Sequence, residues 1–458
     1  MFINRKNEID FFNEKWNSKK PELLVIYGRR QIGKSTLLLE LIKNKTSVYF
    51  QASEANAKDS LNDFSKVLLH NKLIEEFFSF NDWEDVFELL SEKLKNERLL
   101  IVLDEIQFLA NEYKGWMSKL QRFWDQKGSK SNMVIILCTS HMSFMESKVI
   151  SYKAPLYGRI TGVLKLEPFS YIDASLFVKK YNPIQKLYTY SIFGGTPAYL
   201  TLLDEEKSWE ENVTEKILTP NERLFDEPNL ILKSELREIT KYSQILLSVS
   251  NSATKMKDIT SRLSMDRNEV SPYLKTLIEL GYMQREIPVN EDEMKSRKAI
   301  YKLQDPLFYF WYRFVLPNQS LLKSGNQKDV FSKIIYPNLD GHIGTLIFEG
   351  ICTEYVRKFY PHNKEFMIKK IGKFVTKQIE IDIFTYNTDK TNTLASCKWS
   401  LRPYGPSIIS DLVKQAEALE IKSPRFICFC SAGFTKDTID FASVKNVELI
   451  DATALLTV

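Results

Sequence analysis

The sequence predicts a chain built largely on α/β lines, and three stretches in its first third predict it. LLVIYGRRQIGKSTLLLELI (23–42), LLIVLDEIQFL (99–109) and MVIILCTS (133–140) each run a wholly apolar segment of strand length into glycine-rich or polar residues. Strands apolar on both faces belong to a parallel sheet covered by helices. Residues at the C-terminal ends of such strands lie where open α/β sheets bind ligands.

The first stretch fits G-x-x-x-x-G-K-[ST] between a strand and a helix, the setting of a P-loop. The loop residues are Gly28, Arg29, Arg30, Gln31, Ile32, Gly33, Lys34, Ser35 and Thr36. Gly28 and Gly33 allow the backbone to curl so that successive N–H groups face one anion. The following helix adds the positive end of its dipole. Lys34 is expected to reach the β- and γ-phosphates of ATP, and Ser35 to offer its hydroxyl to Mg²⁺. The second stretch ends in a carboxylate pair. Asp104 is assigned to the Mg²⁺ shell and Glu105 to the water that attacks the γ-phosphate. In the third, Thr139 and Ser140 close the strand. Arg159, just before the apolar run at 162–166, is either a transition-state arginine or a structural ion-pair partner.

Bulk properties set the bounds. The chain has 458 residues, 44% hydrophobic and 26% charged, enough for several packed domains. A net charge of +5, from 63 basic against 58 acidic residues, is too small to argue for a polyanionic partner without a local basic stripe. Five cysteines, Cys138, Cys352, Cys397, Cys428 and Cys430, form no CxxC pair, so a reduced, cytoplasmic protein without a zinc site is expected. The opening MFINRKNEIDFF is too charged for a signal peptide, and no apolar run reaches the ~20 residues of a membrane span.

FINRKNEIDFF (2–12), YGRRQIGKS, VLDEIQFL, LYGRI (156–160), LEPF (166–169) and FGGTPAYL (193–200) occur in that order. Together they resemble the archaeal-type ATPases, a branch of the STAND P-loop NTPases related to AAA+ and Orc/Cdc6 proteins. The resemblance spans about residues 1–240. It implies that Arg5 and Glu8 lie near the adenine. It implies that the GGTP corner, with Pro197, closes a helical lid over the nucleotide. By analogy with AAA+ ATPases it gives Ser140, or Thr139, the role of γ-phosphate sensor.

From about residue 240 the pattern is three short helices and a hairpin, a winged helix-turn-helix. The third helix, within DRNEVSPYLKTLIELGY (266–282), carries Val270, Tyr273, Leu274, Leu277 and Ile278 at helical spacing, with Asp266 as N-cap and Gly281 as stop. Its other side shows Arg267, Asn268, Ser271 and Lys275, and the wing adds Lys295, Arg297 and Lys298. These types suit DNA phosphates. Glu291, Asp292 and Glu293 in the same wing oppose them, so a module packed on the ATPase as a switch arm is the competing reading. LFYFWYRFV (307–315) reads as a buried helix with a snorkelling Arg313.

The last third holds a helix with Glu349 (346–360), a strand with Asp382 (378–387), the strand LASCKWS (394–400), a helix (407–420) and the strand RFICFCSAGF (425–434). It resembles the domain of unknown function that accompanies this ATPase family and is similar to PD-(D/E)XK nucleases, an α/β restriction-endonuclease-like fold. The resemblance matches Asp382 and Lys398 but departs at Ser396, where the pattern calls for a carboxylate. A hydroxyl is a weak neutral ligand for Mg²⁺. A degenerate nuclease is therefore the expectation, with Glu349 or Glu417 supplying the missing acid as the alternative.

The domain reading is a P-loop ATPase core (1–170), helical lid (171–238), winged helix (239–305) and nuclease-like domain (306–458). The functional reading is an ATP-hydrolysing molecular switch acting on DNA. An ATP-gated Mg²⁺-dependent nuclease and an ATP-dependent signalling scaffold bound to a protein partner are the alternatives. Oligomerisation is left open, and no membrane partner is expected.

Overall fold

The computed structural model describes residues 3–93, 97–293, 295–296, 298–360 and 366–457. The chain divides into two compact units, Met1–Pro168 with Thr196–Ala198, and Phe169–Gly195 with Tyr199–Val458.

The first unit is built on strands β1 (Glu22–Tyr27), β2 (Ser47–Gln51), β3 (Leu99–Asp104), β4 (Met133–Thr139) and β5 (Gly162–Lys165). Their spatial order is β2-β3-β4-β1-β5, and every pair is parallel. The three predicted strands are its centre. β1, β3 and β4 are buried at every position, so both faces must be covered. Alternate residues supply two cores. Leu23, Val25, Ile101 and Leu103 enter one; Leu24, Ile26, Leu100 and Val102 enter the other. Each such side chain contributes about 1.5–3 kcal/mol on burial. Helix α1 (Lys6–Asn17) precedes β1, α2 (Lys34–Leu41) follows it directly, and α3 (Ile106–Glu112) follows β3. Helix α4 (Trp116–Gln126) buries Trp116, Leu120, Phe123 and Trp124 on one stripe.

In the second unit, α5 (Pro183–Phe193) starts at a capping box formed by Asn182 and Gln185. Helices α6 (Ile239–Ser250), α7 (Met256–Leu263) and α8 (Arg267–Glu279) then lead into an antiparallel hairpin, β6 (Met283–Glu286) and β7 (Ile300–Leu303). Asp266 caps α8 by accepting from the N–H groups of Asn268 and Glu269, and Gly281 takes positive φ just beyond it. Arg297 and Met294, in the loop of the hairpin, lie outside the described residues. The aromatic run continues as helix, and Arg313 donates to the Tyr309 hydroxyl at 3.2 Å.

Helix α9 (Phe348–Lys358) precedes a mixed sheet of β8 (Ile368–Val375), β9 (Glu380–Asn387), β10 (Asn392–Lys398), β11 (Arg425–Cys430) and β12 (Val447–Ile450), in the order β12-β11-β10-β9-β8. β8, β9 and β10 pair antiparallel, and β10, β11 and β12 pair parallel. Helix α10 (Ser407–Ala418) covers it with Ile408, Ile409, Leu412 and Ala416. Among the described residues no helix is long and apolar enough to cross a membrane.

Candidate functional site

The loop between β1 and α2 is shaped by what its glycines exclude. A Cβ on Gly28 would stand 2.4 Å from both Ile32 Cδ1 and the Leu166 carbonyl oxygen. Gly33 has φ 86° and caps α2 from the left-handed region, where a side chain is strained. A Cβ there would lie 3.6 Å from Pro197 Cγ, so the GGTP proline sits against the loop. The Lys34 ammonium is folded inward and donates to the carbonyls of Gly28 (3.0 Å) and Arg29 (2.7 Å). Burial lowers its pKa, opposed by the thiol and carboxylate groups of Cys138, Glu105 and Asp104. Arg5, nearly buried, donates to the Ile32 carbonyl at 3.1 Å and pairs with Glu8 at 3.1 Å. Thr36 is exposed on the first turn of α2.

The strand-tip acids meet this loop. Ser35 donates to Asp104 Oδ2 at 3.1 Å, and the Tyr49 hydroxyl donates to the same oxygen at 2.8 Å. A hydroxyl and a carboxylate at this spacing are hard oxygen donors of the kind that hold Mg²⁺. Glu105 sits in the left-handed region at φ 55°. Its carboxylate accepts from the Ser140 N–H (3.0 Å), the Ser140 hydroxyl (2.8 and 2.9 Å) and the Gln107 amide (2.9 Å). Thr139 completes the chain by donating to Gln107 Oε1. Burial raises the pKa of Glu105, but the bonds from Ser140 and Gln107 and the charge of Lys34 outweigh it and hold the group below its ordinary value. Glu105 is thus kept ionised by the neighbours that restrain it.

Sequence reasoning missed Tyr49 and Gln107. Gln107 stands two residues after Glu105, so its place beside that carboxylate is a matter of local geometry. Tyr49 belongs to β2, which carries no distinctive motif, and only the β2–β3 register brings it beside Asp104. Arg159, read either as a transition-state arginine or as an ion-pair partner, is paired with a carboxylate. Its guanidinium forms a two-bond pair with Asp125, both bonds 2.8 Å, at the end of α4. Thr161 pairs with Leu23 at the start of β1, so Arg159 lies by the opposite end of the parallel strands from Gly28. Five residues of strand separate these levels, about 16 Å. Ser140 is bonded to Glu105, which makes it the acid's restraint in this state.

The residues assigned to a nuclease-like centre are only partly brought together. Asp382 and Ser396 lie across from each other, with Ser396 Oγ 3.5 Å from Asp382 Oδ2, and Asp382 also accepts from the Cys397 N–H at 2.8 Å. Glu349 faces Lys373 at 3.4 Å and Lys302 at 4.0 Å. Lys398 joins no ion pair among the described residues; it lies beside Cys428, whose thiol burial pushes up to about 12 against the lysine's charge. Glu417 is exposed on α10. Among the described residues no group of three or more His, Cys, Asp or Glu is placed to hold a metal ion.

Residues 2–203 match the family of ATPase domains predominantly from Archaea, and residues 311–409 match a family of archaeal and bacterial proteins of unknown function. The uncharacterised protein MJECL04 of Methanocaldococcus jannaschii is 31% identical over 402 residues, 87% of this chain and 88% of that one. The uncharacterised ATP-binding protein MJ1076 of the same organism is 26% identical over 180 residues, 32% of this chain and 53% of that one. Among solved structures, the Walker-type ATPase PABY2304 of Pyrococcus abyssi is similar in fold, with a TM-score of 0.50 at 16% identity over 68% of this chain and 96% of that one.

Proposed function

This chain belongs to the family of ATPases found predominantly in Archaea, and on that premise we propose that it binds and hydrolyses ATP as a molecular switch acting on DNA. One observation carries the ATPase reading. Ser35 of the glycine-lined loop and Asp104 at the tip of β3 are in hydrogen-bond contact at 3.1 Å, so the anion cradle and the acid pair address one ligand. Lys34 exchanges its two loop carbonyls for phosphate oxygens. Ser35 and Asp104 would hold Mg²⁺, which when bound would neutralise charge on the phosphates. Glu105, ionised, accepts a hydrogen bond from the attacking water and orients it. Ser140 and Gln107 hold that carboxylate in place, so their bonds must loosen for it to reach the water.

The DNA part of the proposal rests on the winged-helix reading of residues 239–305. The exposed side of α8 carries Arg267, Asn268 and Lys275, residue types that contact phosphates and base edges. Lys275 is paired with Glu279 at 3.7 Å and Lys298 with Glu291 at 2.7 Å, so few cations stand ready and the affinity should be modest. The last third is read as a degenerate relative of the PD-(D/E)XK fold, retained for binding.

The test is nucleotide binding and turnover in three proteins. The parent should bind and hydrolyse ATP. Lys34→Ala should lose binding, and Glu105→Gln should bind ATP and stall. Parental turnover by Glu105→Gln would remove Glu105 from its role. DNA affinity at two salt concentrations tests the other half; absence of binding at low salt would leave the protein-partner reading.

A further inference from the structure

The acids of the last third surround two lysines. Lys373 of β8 reaches Glu349 at 3.4 Å and Glu380 at 2.8 Å. Lys302 of β7 pairs with Glu286 of β6 and approaches Glu349 at 4.0 Å. The Lys302 side chain is only 8% exposed, that of Lys373 18% and that of Glu349 15%. Lysines are almost never buried to this extent unless paired.

The backbone agrees with the side chains. β8 is the edge of its sheet, and an edge strand leaves a row of peptide groups unpaired. The tip of the β6–β7 hairpin takes up part of that row. Val289 N–H donates to the Lys373 carbonyl at 2.7 Å, and Asn290 exchanges two bonds with the Val375 backbone, both 3.1 Å. Val289 is 3% exposed and lies in the same core as Ile381, Phe384 and Ile408. A Cβ on Gly372 would lie 3.6 Å from Val289 Cβ. At this place two residues of β9, Asp382 and Ile383, oppose the single Lys373, a bulge of the kind that re-aims side chains.

We propose that the carboxylates around Glu349 form an ammonium socket, filled by Lys302 and Lys373, that fastens the β6–β7 hairpin to the C-terminal sheet and takes no divalent metal. A metal entering beside Glu349 has to displace a buried ammonium, which then stands uncompensated. Asp382 Oδ2 accepts from the Cys397 N–H. Burial, helped by the charges of Asp382 and Glu286, holds the Glu349 pKa above its ordinary value against the pull of Lys373 and Lys302, so the two cations are what favour its charged form. On the winged-helix reading this hairpin is the wing, and its residues Val289 and Asn290 are engaged by its own chain.

Two measurements on the full chain, without nucleotide or DNA, test this, so a failure of the ATPase or DNA reading leaves them unaffected. In the first, Mn²⁺ is titrated into the parent and followed by its spin-resonance signal. The parent and Asp382→Asn are expected to give the same Mn²⁺ isotherm, any shared binding belonging to Ser35 and Asp104. Saturable binding that Asp382→Asn abolishes would overturn the proposal. In the second, hydrogen exchange is compared between the parent and Lys302→Met, which keeps the apolar stem. Peptides covering 284–290 should exchange roughly tenfold faster or more, with β10 and β11 unchanged. Unchanged exchange at 284–290 would refute the socket. Should Lys302→Met fail to fold, Glu286→Gln, which removes the partner charge of Lys302, replaces it: faster exchange at 284–290 is expected, and unchanged exchange would refute the socket.

Discussion

Gly28→Ala tests the shape of the phosphate loop directly. The added Cβ would meet Ile32 Cδ1 and the Leu166 carbonyl oxygen, each at 2.4 Å, and the Leu166 carbonyl carbon at 3.3 Å. Carbon atoms rest at about 3.5–4.0 Å, so the overlap with Ile32 exceeds about 1 Å. Ile32 Cδ1 is the end of a flexible side chain and has room to rotate. Leu166 does not, because its N–H donates to the Tyr27 carbonyl at 2.7 Å beside the end of β5. The loop must move instead. Overpacking of this kind costs about 1–3 kcal/mol, and the displaced peptide groups no longer converge on one anion. We expect a lower denaturation midpoint for the first unit and at least a tenfold loss of ATP affinity, read by intrinsic fluorescence and by a fluorescent nucleotide. Gly350→Ala is the control. Gly350 is an exposed position of α9 with nothing within 4 Å of its Cβ site, so alanine there should stabilise by about 0.5–1 kcal/mol and leave ATP affinity alone. Parental stability and affinity in Gly28→Ala would refute the steric argument.

Three further outcomes are expected. Ser140→Ala removes a donor from Glu105, so the carboxylate's pKa rises and the acid limb of the turnover profile moves to higher pH; an unmoved limb means that Glu105 does not set it. His342 is fully buried against Tyr309, its ring nitrogens have no hydrogen-bond partner among the described residues, and burial, with Arg313 nearby, holds its pKa well below the ordinary value. A group kept neutral in the folded chain stabilises it above the unfolded pKa of about 6.5, and stability then falls by up to about 1.4 kcal/mol per pH unit below that; His342→Phe should flatten urea midpoints measured between pH 5 and 6.5. Arg159→Ala breaks a largely exposed pair worth about 0–1 kcal/mol and should leave ATP affinity unchanged, as measured by nucleotide titration; a large loss would put this arginine back at the phosphates.

The strand–loop–helix run around Lys34, the acids after β3 and the Asp266 cap were all legible, because each depends on neighbours a few residues away. The GGTP corner was legible as a rigid turn. What forbids a side chain at Gly195, the Phe169 carbonyl 1.9 Å from its Cβ site, was not. Arg159 kept two readings because a glycine and an apolar strand beside an arginine look alike at either end of a parallel sheet, and only the register of β5 against β1 tells the ends apart. Tyr49 escaped notice for the same reason.

The sequence alone carries the phosphate loop, the acid pair after the third strand of the first unit and the helical spacing behind Asp266, since local spacing along the backbone dictates those. Folding settled where each long-range partner stands: Arg159 on Asp125, Ser140 on Glu105, Lys302 and Lys373 among the carboxylates of the last third. Those contacts join residues 24 to 47 positions apart, and Val289, in the loop after β6, meets Lys373 of β8 from outside that sheet. Burial of an ion or an edge strand depends on the whole packed neighbourhood, and no short stretch of sequence contains that neighbourhood.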